Sequence, residues 1–396
     1  MNVRFIIPIV VVLAALTAGA FLLQSNQEGE IRASLAVAEA MGGDTTGYDR
    51  ADEVRTLIFP DDYGPHPGFK TEWWYYTGNL DTEEGRHFGY EFTIFRFALA
   101  PPDTIAPTRA SGWATDQLFM AHFALSDVEA GAFYAFERFS RGALGLAGAQ
   151  AAPYRIWLED WSMEGRPETL FPMRLRTGQD DVAIDLALET AKPLVLQGDR
   201  GLDPKGPEPG NASYYYSFTR LPTTGTITID GQSYTVRGLS WKDHEWSTSA
   251  LGDDQVGWDW FALQLSNGQD LMFYQLRRRD GTLSPFTNGV LVALDGVTTP
   301  LAPDDVTLDI LDTWTSPRSD AAYPARWRLR LPSASLDLEI TPYLADQELD
   351  VSVRYWEGAV RIEGTVEGEA VSGNGYVEMT GYGDEGGAAS RTSRSR

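Results

Sequence analysis

The sequence predicts an all-β fold built from two similar units, and three observations support this. From Arg55 onward, stretches such as "GYEFTIFRFAL" and "VAIDLALET" alternate or nearly alternate and are rich in β-branched and aromatic residues. Clusters of Gly, Pro, Asn and Asp separate these stretches, as expected of strands joined by turns. The chain also resembles itself, because four segments of its first half recur in the same order in its second half.

The internal similarity extends along most of the chain. The four pairs are residues 75–96 with 260–277, residues 122–127 with 290–295, residues 158–189 with 311–340, and residues 214–238 with 351–375. The offset between partners falls steadily, as it would if the first copy carried longer loops. These extra loops are expected at residues 100–113, 129–156 and 189–213, where a lid or a cavity mouth would be built.

We therefore expect two lipocalin-like β-barrel domains related by internal duplication, at residues 52–250 and 251–386. A barrel hides its strand edges and leaves room for a ligand inside. A pair of β-sandwiches is the alternative, because alternation does not distinguish closure from stacking. Helices are predicted only at residues 29–41 and 132–150, the second as an insertion between strands that either covers an opening or fills a sheet face.

Composition restricts the classes of function. The 396 residues include 12 Trp, 17 Tyr and 18 Phe, which indicates a packed, aromatic-rich interior. The net charge of −24 argues against a nucleic-acid partner, because affinity for a polyanion comes from clustered lysines and arginines. Without cysteine there is no disulfide, no thiolate nucleophile and no cysteine-bound metal.

The N-terminus predicts export. Residues 5–23 form an uncharged apolar run, so residues 1–26 are interpreted as a signal peptide or a membrane anchor. Residues 27–51 are expected to form a partly helical linker, and residues 387–396 a disordered tail. On this interpretation the protein is periplasmic, or it is anchored to the outer face of the cytoplasmic membrane through its N-terminal segment.

Acids and histidines recur within the predicted aromatic strands. Alternate residues of an extended strand share a face, so Glu72, Trp74 and Tyr76 should lie on one side. Burying an ionisable group costs free energy unless the group is paired. An inward-facing Glu72 or His122 should therefore have a partner or a function.

The stretch "LSWKDHEWST" concentrates these groups. In a strand, Asp243 and Glu245 face the side opposite to His244 and Trp246. The matching positions of the second unit carry neither an acid nor a histidine. This asymmetry predicts one specialised site, built mainly by the first unit and closed by the first strand of the second unit through Asp259.

Structural roles are the alternative for the same residues. His244 could satisfy backbone groups near a turn, and Asp243 could form an ion pair with Lys242. A metal site of His66, His122 and His244 with a carboxylate is conceivable, but no tight ligand spacing supports it. We therefore expect neither a metal nor a cofactor.

Five stretches together resemble a known family. They are "HPGFKTEWWYYTGNL", "MAHFALSD", "LSWKDHEWST", "GWDWFALQL" and "YWEGAVRIEG…GYVEMTGY". They are similar to those of carotenoid 1,2-hydratases (hydroxyneurosporene synthases), fungal kievitone hydratase and bacterial AttH-type exported proteins, over residues 52–384. The resemblance implies two lipocalin-like barrels. The hydratase motif His-x-Trp matches His244-Glu245-Trp246, whereas the motif Tyr-x-Asp matches Gly257-Trp258-Asp259, which lacks the tyrosine.

The resemblance also implies a reaction. A neutral carboxylic acid protonates an isolated C=C bond, aromatic faces stabilise the carbocation, and a base-activated water captures it. On this hypothesis Asp259 or Asp243 is the acid, Trp246 and Trp74 face the cation, and His244 orients the water. The expected substrate-binding residues are Glu72, Trp74, Tyr76, His122, Trp258, Trp260 and Tyr274.

A non-catalytic function is the rival hypothesis. The protein would then carry a lipid or lipoprotein as an accessory of an ABC-transporter export system, and a Diels–Alder-type cyclase is a third class. All three use an apolar cavity for a small molecule or lipid. Convergence of Glu72, His122, Asp243, His244 and Asp259 in one cavity would favour an enzyme, whereas separate ion pairs would favour a carrier.

Overall fold

The structure is a computed structural model, and nearly all of its regular structure is β. It describes residues 44–104, 111–166, 169–249, 251–252 and 254–383. The predicted N-terminal segment, the helix at 29–41 and the tail at 387–396 lie outside the described residues. Among the helices that are described, none is long and apolar enough to cross a bilayer.

The first sheet of the described chain has thirteen strands. They are β1 (Thr71–Asp81), β2 (His87–Ala98), β3 (Gln117–Asp127), β4 (Ala132–Arg141), β5 (Ala147–Gln150), β6 (Arg155–Leu158), β7 (Trp161–Glu164), β8 (Met173–Gln179), β9 (Val182–Leu188), β10 (Val195–Leu196), β11 (Leu202–Pro204), β12 (Ala212–Ile229) and β13 (Gln232–Ser247). Their order is β4-β3-β2-β1-β13-β12-β9-β8-β7-β6-β5, and β10 and β11 pair with β12. This sheet curls into a nearly closed barrel.

The second sheet has ten strands within the same described ranges. They are β14 (Gln255–Leu265), β15 (Asp270–Arg278), β16 (Asn288–Val292), β17 (Thr298–Leu301), β18 (Thr307–Thr315), β19 (Ala322–Leu331), β20 (Leu336–Pro342), β21 (Glu348–Asp350), β22 (Arg354–Val366) and β23 (Glu369–Thr380). Their order is β17-β16-β15-β14-β23-β22-β20-β19-β18, and β21 pairs with β22. This sheet forms a half-barrel.

The two sheets share one topology. The run β4-β3-β2-β1-β13-β12-β9-β8-β7 corresponds strand by strand to β17-β16-β15-β14-β23-β22-β20-β19-β18. The segments that resemble each other in sequence occupy equivalent strands, for example 75–80 on β1 and 260–265 on β14. The prediction of an all-β, lipocalin-like fold is confirmed.

The predicted helix at 132–150 is wrong, because this segment forms β4 and β5. Both faces of β4 are apolar, which hides the alternation of a strand. Tyr134 and Phe136 pack into the first barrel, whereas Phe133 and Ala135 pack against a cluster that contains residues of the second sheet.

The two faces of the central strands bury different surfaces. Trp74 and Tyr76 of β1 point into the first barrel, whose interior is filled by large side chains. Tyr75, on the opposite face, packs with Trp260 and Tyr376 of the second sheet. The sheets thus meet through their outer faces.

Candidate functional site

A cavity of about 110 Å³ lies between the two sheets. Its wall is largely aromatic and combines Trp73, Tyr75, Phe95, Trp258, Trp260 and Tyr274. These residues occupy the outer faces of β1, β2, β14 and β15. The alternation of each strand therefore directs one set of aromatic rings to a barrel interior and the other set to the cavity.

Asp243 of β13 lies on the cavity wall and accepts three hydrogen bonds. The Tyr215 hydroxyl donates at 2.6 Å and the Trp241 indole Nε1 at 2.7 Å, and the Ser217 hydroxyl also donates. Burial raises the pKa of Asp243 to about 6, although these donors oppose the rise. A carboxyl group with this pKa can exchange a proton near neutral pH.

Glu245 lies two residues further along the same face. Its carboxylate is 3.3 Å from Lys205 Nζ, and the same ammonium also contacts Asp203. Burial raises the pKa of Glu245 to about 7, against the attraction of Lys205. Burial opposes the charge of Lys205, but Asp203 and Glu245 outweigh it and hold the Lys205 pKa well above its usual value.

Three further glutamates meet where the sheets pack. Glu357 and Glu378, which line the cavity, are direct cross-strand partners, and Glu91 interacts with them from β2. Glu357 accepts a hydrogen bond from Tyr75 at 3.2 Å. Burial and like charges raise the pKa of Glu91 and Glu357 well above the usual range, and burial raises that of Glu378 to about 8.

His122 also faces the cavity, from β3. Its Nε2 lies 3.0 Å from Glu137, and its Nδ1 pairs with the Tyr355 hydroxyl. Tyr355 belongs to β22, so this hydrogen bond joins the two sheets. The histidine is fully buried, and both ring nitrogens have partners.

A second polar cluster lies inside the first barrel, on the opposite face of β1 and β13. Glu72 Oε1 is 2.7 Å from His66 Nδ1 and 2.9 Å from His244 Nε2, and Glu72 Oε2 accepts from Arg96 Nε at 2.8 Å. Although burial raises the pKa of Glu72, His66 and Arg96 hold it well below its usual range. Burial lowers the pKa of His244 to about 3, so this histidine is neutral.

Hydrogen bonds account for the geometry of this cluster. Among the described residues, His66, Glu72 and His244 are the group of three whose potential metal-ligating atoms lie within 4.8 Å of one another. Donor atoms around a tetrahedral zinc ion would be about 3.3 Å apart. The separations of 2.7 and 2.9 Å from Glu72 are instead hydrogen-bond lengths. His122 lies on the other face of the sheet, so His66, His122 and His244 do not converge.

Asp259 lies in neither of these places. It points into the second sheet, where Gln275 donates at 2.7 Å and Arg277 at 3.2 Å, and the Tyr382 hydroxyl donates as well. The expectation that β14 closes the site through Asp259 needs correction, because Trp258 and Trp260 face the cavity instead.

The structure therefore divides the sequence-predicted residues into three groups. Those that line the cavity are Asp243, His122, Trp258, Trp260 and Tyr274. Those inside the first barrel are Glu72, Trp74, Tyr76, His244 and Trp246. Asp259 alone of the set lies inside the second sheet.

Sequence reasoning missed several residues that line the cavity or lie buried beside it. Glu91, Glu357 and Glu378 each stand in an aromatic or apolar strand, in "GYEFTIF", "YWEGAV" and "GYVEMTGY". Each stretch shows the signal that drew attention to Glu72, namely an acidic residue inside a predicted aromatic or apolar strand. Lys205 lies in a loop before β12, and no pattern in the sequence places it beside Glu245.

Comparison with known proteins gives concordant results. The AttH-like family matches residues 50–382. Kievitone hydratase from Fusarium solani subsp. phaseoli is 22% identical over 219 residues, and the match covers 54% of this chain and 61% of that protein. The chain thus spans less than two thirds of that curated relative.

Solved structures resemble the fold over most of its length. A protein from Nitrosomonas europaea, assigned to AttH, is 36% identical with a TM-score of 0.72, over 83% of this chain and 98% of that one. Kievitone hydratase from Nectria haematococca is 15% identical with a TM-score of 0.62, over 84% of this chain and 98% of that one, and shows the fold alone. This chain belongs to the AttH-like family.

Proposed function

We propose that this protein binds an apolar molecule, an isoprenoid or a lipid, in the cavity between its sheets and adds water across an isolated C=C bond. The observation that carries the proposal is a carboxyl group that keeps its proton near neutral pH, Glu378, on an aromatic cavity wall. The relationship to kievitone hydratase supports a hydratase reaction. The aromatic wall supports an apolar substrate.

The reaction balances with groups of this cavity alone. Glu378 gives its proton to one alkene carbon, the π bond breaks, and positive charge forms on the other carbon. Trp258 and Trp260 line the same cavity, and their ring faces would stabilise that charge. Water attacks the cation and passes one proton to Asp243, and proton exchange between the two carboxyl groups restores the starting state. Asp243 and Glu378 line the same cavity, so bound water there can carry the proton between them.

The test combines extraction with isotope labelling. Organic extracts of the purified protein are analysed by mass spectrometry, and the extracted compound, kievitone and geranylgeraniol are each incubated with the protein in ¹⁸O-water. Incorporation of one labelled oxygen, lost in Glu378→Gln and kept in Glu363→Gln, is expected. Glu363 is the matched control, because it lies on β22 but is exposed. Labelling that survives Glu378→Gln would refute the assigned proton donor.

A non-catalytic carrier is the second candidate. The specific observation in its favour is the separation of Glu72, Asp243 and Asp259 into three places, two of which are closed by ion pairs. The proposed carrier would serve an ABC-transporter export system outside the cytoplasmic membrane, as the apolar run at residues 5–23 suggests. A co-purifying lipid without any labelled product would favour this function.

A further inference from the structure

Two carboxyl groups line the inter-sheet cavity, a third lies buried beside them, and no described basic residue balances the three. Glu357 and Glu378 stand directly opposite each other on β22 and β23, and Glu91 faces them from β2 of the other sheet. Glu91 is 0% exposed and Glu357 is 2% exposed. Neither lysine nor arginine nor histidine of the described chain contributes an attraction to any of the three.

Glu91 differs from Glu357 and Glu378 in its hydrogen bonding. Neither of its carboxyl oxygens has a hydrogen-bond partner, although both are buried. The Thr93 hydroxyl, two residues along the same strand face, interacts with it, but neither group forms a hydrogen bond of good geometry. Leaving a buried polar group without a hydrogen-bond partner destabilises the folded protein. Because Glu91 lies beside Glu357 and Glu378, which line the cavity, the missing partner indicates a group that comes from outside the chain.

Several other buried acids of this chain form ion pairs with basic side chains. Glu72 is paired with Arg96, Asp259 with Arg277, and Asp270 with Lys192 and Arg220. The fold thus supplies an internal cation for buried carboxylates elsewhere. The three glutamates lack one at the place where the cavity gives access to a ligand.

The aromatic rings around the cavity favour a cationic ligand. Trp73, Trp258 and Trp260 line it, and indole faces attract cations more strongly than other aromatic rings. Among the described residues of the cavity wall the lysine is Lys205, which already pairs with Asp203 and Glu245. An anionic head group would therefore lie beside carboxyl groups, and the lysine on the described cavity wall would not be available to pair with it.

We propose that Glu91, Glu357 and Glu378 form a cation subsite, which takes the ammonium group of an amphiphilic amine while the apolar chain of the amine lies against the aromatic wall. The inference rests on the proposed function, because it names the ligand class of the same cavity. As the ammonium enters, the cluster releases one proton to solvent; the single negative charge that remains pairs with the ammonium, and two of the three carboxyl groups keep their protons. An organic cation suits the subsite better than a metal ion. Within the described ranges, the group of three potential ligands within 4.8 Å is His66, Glu72 and His244, so the three glutamates are spaced too widely for one ion.

The test uses three probes that differ only in their head group. Binding of n-octylamine, n-octanol and n-octanoate is followed at neutral pH through the fluorescence of the cavity tryptophans. We expect n-octylamine to bind at least about tenfold more tightly than n-octanol, and n-octanoate to bind most weakly. Glu357→Gln and Glu378→Gln should remove the advantage of the amine, whereas Glu363→Gln on the exposed part of β22 should keep it. Thermal unfolding of each variant verifies that it is folded.

Each result bears on the inference in a distinct way. If n-octanol binds as tightly as n-octylamine, or if the advantage of the amine survives in both variants, the cation subsite is refuted while the apolar cavity stands. If none of the probes binds, the proposed function fails together with the inference. An amine-specific affinity that disappears in folded Glu378→Gln supports the inference.

Discussion

Glu357 and Glu378 face each other across β22 and β23 on the side of the sheet that borders the cavity. Like charges in directly opposed positions destabilise a sheet. The arrangement is compatible with a folded protein while the carboxyl groups keep their protons or meet an external cation. The folded protein keeps these carboxyl groups protonated at a pH where the unfolded chain has released its protons. The cluster therefore lowers the free energy of unfolding at neutral pH.

The stability of the protein should depend on pH through Glu378. The pKa of this carboxyl is raised from 4.5 to about 8 by folding, so the unfolded chain gives up the proton first. The free energy of unfolding should fall as pH rises between these two values and level off above them. Glu378→Gln should flatten this fall, as measured by urea unfolding at both ends of the range. An identical slope in the variant would contradict the raised pKa.

Loss of Glu72 should strongly destabilise the first barrel. Its removal leaves Arg96 buried and without its carboxylate partner, and breaking a buried pair typically costs about 3–5 kcal/mol. Glu164, which pairs with Arg155 at an exposed position, is the control and should cost less than about 1 kcal/mol. The free energies of unfolding of Glu72→Ala and Glu164→Ala decide this. Equal losses would show that the buried cluster does not stabilise the barrel.

The two histidines of the Glu72 cluster should titrate in opposite directions. Burial opposes protonation of His66, but Glu72 and Asp62 outweigh it and raise its pKa above 6.5, whereas burial lowers the pKa of His244 to about 3. His66 therefore stabilises the fold below pH 6.5, and this contribution disappears as pH rises through its folded pKa. His244 makes the fold less stable as pH falls from 6.5 toward 3.

Nuclear magnetic resonance can measure these titrations directly. The chain has only four histidines, so their ring signals can be assigned by single substitutions. The signal that disappears in His66→Gln should titrate above pH 6.5, and the signal that disappears in His244→Gln should stay that of a neutral ring. A protonated His244 at neutral pH would contradict the lowered pKa of this histidine.

Asp243 and Asp259 should differ in their effect on hydration. Asp243→Asn changes the cavity wall and should lower labelled product, because Asp243 accepts the proton of the attacking water in the proposed reaction. Asp259→Asn weakens the pair with Arg277 and should lower the melting temperature while labelling continues. Loss of labelling in a folded Asp259→Asn variant would return Asp259 to the mechanism.

Most of the fold can be predicted from alternation and from the internal similarity of the chain. Alternation on β13 also indicates that Asp243 and Glu245 face away from His244 and Trp246, as the structure shows. Alternation fails on β4, because both faces of this strand are apolar.

The position of the cavity could not be predicted from the same pattern. The central strands are buried on both faces, so alternation separates two sets of residues without telling which set meets a ligand. The hypothesis gave His244 and Trp246 direct roles at the substrate, whereas they lie inside the filled first barrel. Glu357 carries the same signal as Glu72, but only the three-dimensional packing of the sheets brings it to Glu91.

The close approach of the sheets has one further consequence. Gly89 of β2 lies opposite Ala359 of β22, and a Cβ atom at position 89 would come within 2.3 Å of the Ala359 methyl carbon. A larger residue at either position would force the two sheets apart. The space beside Glu91, Glu357 and Glu378 would then become larger. The side-chain size at positions 89 and 359 therefore limits how closely the sheets approach, independently of the packing inside each barrel.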